Sequence, residues 1–527
     1  MTATYPVWGW AADAKAAPTA EALRELAPLV RDQLGLPVQE PETPAGLAEL
    51  PNDRVSARLP AALAEIASAD PADRARHSLG RSYRDVVRGI RGTLDHAVDT
   101  VLRPRSEVEV TTILDWCGDE RIAVIPYGGG TSVVGGVEPD VGPEWNGVVS
   151  LDLAHLAGVA EVDAVSRAVR VRAGTPGPRL EEELKTHGLT ARFFPQSFER
   201  STVGGWVVTR AAGHFSTRLT HIDDLVESVR AVTPAGLWES RRLPGSGAGP
   251  SPDRLLLGSE GTLGVVTEAW LRVQPRPTHR WAATLAAPTF AAGAAVVRAL
   301  VQADLLPAAC RLIDAAEAAT TGTLATGEAA LVLGFESYGA PVDTDAEWAL
   351  AMCTDHGLRI VEAGARGGSG EAWRSSFMRA PYIREQLVLL GLVVETFETA
   401  ITWDRFDALV ESVRESAARG IAQVCGAGRV TCRLTHVYAD GAAPYFTVMA
   451  PARRGSELAQ WDDIKAAVSA AIIAAGGTIT HHHAVGRDHR RWYDVQRPEP
   501  FALAIAAAKR AVDTKRILNP GVLVPPG

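Results

Sequence analysis

The chain has 527 residues, too many for one hydrophobic core, so two or three domains are expected. Hydrophobic residues make up 46% and charged residues 22%, ordinary values for a globular protein that exclude extensive disorder. A net charge of −9 excludes a general nucleic-acid binder and weakens any electrostatic attachment to anionic lipid.

Residues 1–90 read as a helical N-terminal region, cut into short pieces by prolines from Pro6 to Pro71 and carrying no evident chemistry. The opening stretch MTATYPVWGWAADAK has neither a basic n-region nor an apolar h-region. No apolar run approaches the roughly 18 residues of a membrane span. A cytoplasmic location is therefore expected. Cys117, Cys310, Cys353, Cys425 and Cys432 are scattered, with no C-x-x-C pair, as buried thiols in a reducing compartment would be.

From residue 91 to about 275 an α+β domain is expected. Ser106 is a plausible N-cap, with Val108, Ile113, Leu114 and Cys117 on one helical face. The apolar strand Ile122–Ile125 runs straight into a glycine loop, PYGGGTSVVGG (126–136). Strands follow at 147–151 and 168–171, then a helix over 178–187 with Pro178 near its start and Gly188 just past its end.

The glycine loop is the strongest local signal. Gly128, Gly129 and Gly130 bring the backbone close to a ligand with no Cβ in the way. Successive N–H groups there can form a nest for a diphosphate, with the Thr131 and Ser132 hydroxyls as added donors. The loop breaks the Rossmann spacing G-x-G-x-x-G at Val133 and has no P-loop lysine, which disfavours both of those nucleotide sites. Alone, it could still be a tight turn between strands. Two later segments argue otherwise: PQSFERSTVGGWVVTRAAG (195–213), and LLLGSEGTLGVVTEAWLRVQP (255–275) with Gly258, Gly261 and Gly264 three apart.

Residues 276–484 alternate strands and helices, with loops GARGGSG (364–370) and GAG (426–428), and residues 485–527 end in the extended ILNPGVLVPPG. The most chemical stretch is GGTITHHHAVGRDHRRWY (476–493). On a strand, His481 and His483 would share one face and His482 the other. Three readings stay open on residues alone: inert histidines, a metal site using an i, i+2 pair with His489, or proton transfer near neutral pH.

The three glycine-bearing segments, in this order, resemble the FAD domain of the vanillyl-alcohol oxidase superfamily. The resemblance implies FAD contacts at Pro126, Tyr127, Gly128, Gly129, Gly130, Thr131, Ser132, Gly136, Ser201, Thr202, Gly205, Glu260, Thr262 and Val266. No histidine lies in the first loop, one place where relatives attach FAD covalently, so non-covalent FAD is expected. Further segments narrow the likeness: WGW, GRSYRDVVRG (80–89), CRLID (310–314), PYIRE (381–385), VVETFETAITWD (393–404), THVYADGAAPYF (435–446) and THHHAVG (480–486). Together they are similar to the alkylglycerone-phosphate synthases, also called alkyldihydroxyacetonephosphate synthases.

That resemblance implies a two-domain PCMH-type FAD-binding fold: an FAD domain over 91–275, completed by 485–527, and an antiparallel-sheet cap over 276–484. It implies a reaction in which acyl-dihydroxyacetone phosphate loses its fatty acid and gains a fatty alcohol as an ether, with flavin N5 as the nucleophile. Tyr445 matches the tyrosine beside the flavin, and His481, His482 and His483 match the active-site histidines. Arg311 and Arg384 match arginines near the substrate phosphate, which two guanidiniums suit. No metal is expected. A homodimer with peripheral membrane contact and no nucleic-acid partner is implied. Thr447 stands where the family pattern has a second tyrosine, GHFSTRLTHIDD (213–224) departs from the usual run, and the chain ends in PPG. These departures fit a bacterial member. The alternative on the same scaffold is an FAD-dependent 2-hydroxy-acid dehydrogenase of the lactate or glycolate type; a degenerate FAD fold kept as a binding scaffold is a third.

Overall fold

The computed structural model describes residues 8–10, 18–47, 49–364 and 368–525, with backbone alone over 368–378. The opening stretch apart from Trp8–Trp10, the middle of the GARGGSG loop and the last two residues of PPG lie outside the described residues.

The Ser106 hydroxyl accepts the Glu109 N–H and starts the helix Glu107–Glu120. Its buried stripe is Val110, Ile113, Leu114 and Cys117. Val108, expected on that face, is 75% exposed, because a stripe built from Val110 at steps of three and four leaves Val108 on the outer side. The helix carries the chain from the strand Thr100–Leu102 to Ile122–Tyr127, and both run parallel to Gly147–Asp152 between them. A second sheet is antiparallel, in the order Val159–Asp163, Ala168–Arg172, Val265–Arg272, Val226–Thr233, Gly236–Glu239. One apolar cluster joins the two sheets through Val124, Val149, Leu151, Val169, Val171, Trp206 and Ala269.

The cap is one large antiparallel sheet. Its main path runs Arg359–Gly364, His279–Ala287, Ala329–Ser337, Ala309–Ile313, Arg429–Val437, Gly441–Pro451, Leu392–Glu398. Helices Phe290–Gln302, Asp343–Asp355, Phe406–Cys425 and Glu457–Ala474 share an apolar cluster with Leu285, Leu331, Cys432, Phe446 and Val448 on this sheet. The period of two then turns Thr431, Arg433, Thr435, Tyr445, Thr447 and Met449 to the opposite face, which lines a cavity.

The N-terminal helices Ala20–Leu34 and Tyr83–Arg91 join the cap's apolar cluster through Leu23, Val30, Leu34, Tyr83 and Val87. Backbone bonds from Gln39 to Leu390 (2.8 Å) and Glu42 to Leu389 (2.9 Å) fasten the segment between those helices to the cap. Gly368 already begins a helix, Gly368–Leu389, so the end of the expected GARGGSG loop is helical. Among the described residues no helix is long and apolar enough to cross a membrane. The mixed parallel and antiparallel architecture is the α+β fold with an antiparallel-sheet cap expected from the sequence, with a two-sheet FAD domain that the sequence reading did not specify.

The C-terminal segment returns to the first sheet. Val124 N–H donates to the Ile517 carbonyl, and Asn519 N–H to the Val124 carbonyl, both at 2.8 Å. The buried Lys509 ammonium anchors this return: it donates to Asp513 (2.8 Å) and to the carbonyls of Thr262 (2.9 Å) and Leu518 (2.8 Å). Asp513 is fully buried, so removing the lysine strands a carboxylate. Lys509→Ala is expected to cost about 3–5 kcal/mol, read as a lowered urea midpoint; a change under ~1 kcal/mol would mean the segment is held by packing alone.

Candidate active site

The first loop is glycine-rich because it is pressed against a second one. A Cβ on Gly128 would meet Thr202 Oγ1 at 2.3 Å, and one on Gly129 would meet the Arg200 carbonyl oxygen at 2.0 Å. Gly130 adds a φ of +63°, in the left-handed region. Among the described residues the N–H groups of Gly129, Gly130, Thr131 and Ser132 donate to no protein acceptor, the condition of an anion nest. The Ser132 hydroxyl, expected as a donor to a ligand, accepts from Gly136 N–H at 2.9 Å and so also shapes the loop, with its O–H left to donate. Thr202 caps the short helix Val203–Thr209, and the Ser201 hydroxyl accepts from the Trp206 indole at 2.7 Å.

The third segment closes the cradle. Glu260 sits at φ +50°, and its carboxylate accepts from Val485 N–H (2.9 Å) and Gly486 N–H (2.8 Å). Burial pushes its carboxyl up to about 7 in spite of those two bonds. Asn519, from the C-terminal segment, donates to the Gly136 and Glu260 carbonyls, and its own Oδ1 is buried without a partner among the described residues. A cavity of about 440 Å³ joins this cradle to the cap. Its walls include every expected FAD contact except Thr262, which is fully buried with its hydroxyl donating to the Ser259 carbonyl at 2.7 Å. Trp10 also lines it, so the N-terminal region, expected to carry no chemistry, supplies a wall residue.

Opposite the cradle lies the histidine run, which is a bent loop and not a strand. The reason is Glu398, whose side chain is 1% exposed. Its carboxylate accepts from His481 N–H (2.5 Å), His482 N–H (3.1 Å), His483 N–H (2.9 Å) and the Thr480 hydroxyl (2.5 Å). Consecutive N–H groups converging on one carboxylate cannot alternate faces as a strand's do. Burial opposes the Glu398 charge, but the three imidazoles and Thr480 outweigh it and hold the carboxyl well below the usual range. The same burial holds His482 and His483 below the usual imidazole range, so both are neutral bases at pH 7.

His482 and His483 line the cavity; His481 lies behind them, its Nε2 2.7 Å from the Tyr438 hydroxyl and 3.1 Å from His221 Nε2. Tyr445 stacks on His482 (ring centres 6.2 Å apart, planes at 26°) and meets His483 edge-on at 5.7 Å. Burial raises the Tyr445 phenol, although the Arg433 guanidinium lies 4.1 Å over its ring and works the other way. Arg311 is 1% exposed, donates to the His214 carbonyl, and is pushed down to about 9 by burial and by Arg433. Arg384 donates to the Arg81 carbonyl and also lines the cavity.

Residue types alone missed Glu398, Arg433, Glu317 and His436. Glu317 pairs with Arg433 at 2.6 Å inside the cap. The signals were present but quiet: Glu398 ends the apolar strand Leu392–Glu398, and Arg433 and Tyr445 are directly opposed in the register of adjacent strands.

Comparisons with known proteins agree with this geometry. The family described as FAD binding domain matches residues 98–240, and FAD linked oxidases, C-terminal domain, matches 276–523. The alkyldihydroxyacetonephosphate synthase of Caenorhabditis elegans is 31% identical over 455 residues, covering 78% of this chain and 74% of that protein. That of Dictyostelium discoideum is 27% identical over 478 residues, covering 86% and 78%. A solved structure of alkyldihydroxyacetonephosphate synthase superposes with a TM-score of 0.76 at 25% identity, over 94% of this chain and 92% of that one. FAD is the cofactor, and the unclaimed loop N–H groups with the orphaned Asn519 Oδ1 fit it.

Gly129→Ala is expected to yield protein with less than ~10% flavin, read from the 450 nm absorbance, since the new Cβ must push the two loops apart. Glu398→Gln is expected to lower stability by about 2–3 kcal/mol at neutral pH. A depressed carboxyl stabilises fully above its unfolded value of about 4.3 and loses that contribution as pH falls through the folded value. The gap between wild type and Glu398→Gln in urea midpoints should therefore narrow below about pH 4; a gap independent of pH would mean that the carboxyl is already protonated in the fold.

Proposed function

We propose that this chain, which belongs to the alkyldihydroxyacetonephosphate synthase family, exchanges the acyl group of acyl-dihydroxyacetone phosphate for a fatty alcohol. The products are alkyl-dihydroxyacetone phosphate and a fatty acid, with no net oxidation. The observation that carries this reading is what lines one cavity: Arg311 and Arg384, Tyr445 with His482 and His483, and the apolar Leu387, Val394 and Met449. A phosphate monoester, a reacting carbon and a hydrocarbon chain call for those chemistries in that combination.

FAD, which the glycine loop 126–136 and Asn519 would hold, would supply nucleophilic chemistry at the substrate carbon when bound. The protein's part is binding and proton traffic. Arg311 is buried beside Arg433, so a dianion placed there relieves the repulsion between two cations as well as forming charge-assisted bonds. Arg384 approaches from the helix Gly368–Leu389. His482, neutral and stacked on Tyr445, is placed to take the proton from the substrate carbon. Tyr445 keeps its phenolic proton, since burial raises it, and serves as the donor. His483 shares this work at the edge of the same ring, and His481 orients His482 through a 3.0 Å contact between their Nδ1 atoms.

FAD is held without a covalent bond, because the first loop offers no histidine for attachment. The reading also includes a cytoplasmic bacterial homodimer that meets its lipid substrates peripherally at a membrane; its support is the apolar character of both substrates and the family resemblance. A 2-hydroxy-acid dehydrogenase on this scaffold would need a small carboxylate site; two arginines with an apolar wall favour the larger phosphate lipid.

The test is incubation of the purified flavoprotein with palmitoyl-dihydroxyacetone phosphate and hexadecanol, with mass-spectrometric detection of the ether and of free palmitate. Both products at equal amounts support exchange; flavin bleaching by D-lactate or glycolate with no ether formed would overturn it. His482→Ala is expected to retain FAD and lose about 10²–10⁴-fold in kcat. Loss of flavin in that variant would make the histidine loop structural.

A further inference from the structure

We propose that His436, His481 and His482 form a binding site for a divalent cation of the zinc class, set in the cavity wall that His436 and His482 line. One ring nitrogen from each falls within 4.8 Å of the others. The sequence separates them, since His436 lies on the cap strand Arg429–Val437 and the other two on the loop tied to Glu398. His481 Nδ1 and His482 Nδ1 are 3.0 Å apart. Two nitrogens bound to one tetrahedral zinc at about 2.0–2.1 Å lie about 3.3 Å apart, so this pair is already near chelating distance.

His436 is an independent pointer. It is 3% exposed, and its Nε2 lies 3.0 Å from the Gly213 carbonyl. That contact fixes the ring proton on Nε2 and makes Nδ1 a lone pair, and Nδ1 is buried with no partner among the described residues. Metal-binding imidazoles hold their outer N–H on a carbonyl or carboxylate in this way. Tyr438 and His221, against His481 Nε2, play the same outer role for the second ring. Burial keeps all three imidazoles unprotonated, the form that binds metal.

Charge and ligand type select the ion. Glu398 lies 3.4 Å from His482 Nδ1 and offsets part of a cation's charge, while buried Arg311 acts against it at His436. An all-nitrogen site suits zinc and its borderline neighbours, not magnesium or calcium, which need oxygen. Occupancy would take the His482 lone pair. Resting on the exchange reading above, the consequence is reversible metal inhibition of turnover; the binding itself does not depend on that reading.

The experiment uses FAD-loaded protein stripped with a chelator. Zn²⁺ is titrated by calorimetry and Co²⁺ by visible difference spectroscopy. One equivalent of each is expected, with Co²⁺ giving the intense bands of a four-coordinate site of three nitrogens and one water. His436→Gln, with its flavin spectrum unchanged, is expected to bind at least ~100-fold more weakly. If His436→Gln does not fold, His481→Gln must show the same loss. No saturable binding to wild type by ~100 µM metal, or equal binding by the glutamine variant, overturns the site and leaves a shared proton as the link between His481 and His482. Zn²⁺ that inhibits wild type reversibly but spares His436→Gln supports the inhibitory role; equal inhibition of both overturns that role. Should no exchange be detected at all, the calorimetric and Co²⁺ readouts still decide the site.

Discussion

The arrangement of the reactive groups depends on one buried carboxylate. Glu398 ends a cap strand, and its carboxylate gathers consecutive backbone N–H groups and a threonine hydroxyl beside the histidines of the same loop. A buried carboxylate left unsatisfied would cost several kcal/mol, so the loop 480–483 is bent into the shape that satisfies it. That bend separates the histidines by role. His482 and His483 face the cavity beside Tyr445, and His481 is turned inward toward Tyr438, His221 and His436. The negative charge therefore sets geometry more than it sets proton affinity, since the imidazoles around it remain neutral through burial.

The flavin side follows a related logic with the sign reversed. There, donors of the glycine loop find no acceptor among the described residues, and the glycines let two loops pack at a distance no side chain would permit. Glu260 links the two halves: its carboxylate takes the N–H groups of Val485 and Gly486, which follow directly on the histidine loop, while its backbone carbonyl takes Asn519 from the C-terminal segment. Cradle, histidine loop and C-terminal return are thus mechanically one piece.

Motifs whose chemistry is local were legible in the sequence. The Ser106 cap and the glycine loop after an apolar strand needed only spacing and residue type, whereas the contacts at 201–205 and 260–266 came from the family resemblance; all of those contacts reach the cavity except Thr262, which is set back from the wall. What was not legible depended on pairing across sheets. Nothing in VVETFETA says that Glu398 will be met by a loop some eighty residues later. The strand geometry assigned to the histidine run was wrong for that same reason: local alternation was overridden by a distant acceptor. Val108 shows the smaller version of the error, an apolar residue adjacent to a stripe that the true phase of the helix turns outward.

The cap sheet shows how charge within the cavity bears on the class of substrate. Glu317 is engaged with Arg433 at 2.6 Å, and Glu398 with backbone, so neither carboxylate is presented to a ligand. The histidines contribute no charge. Arg311 donates to the His214 carbonyl and Arg384 to the Arg81 carbonyl, contacts that orient a guanidinium without opposing its charge. A site with this balance sets no free carboxylate against a ligand's negative charge, gains from an anion at Arg311 and Arg384, and offers an apolar surface from Leu387, Val394 and Met449 for the rest of the molecule. A phosphate-bearing lipid meets each of these conditions, whereas a small hydroxy acid meets only the first two and would leave the apolar wall exposed to water.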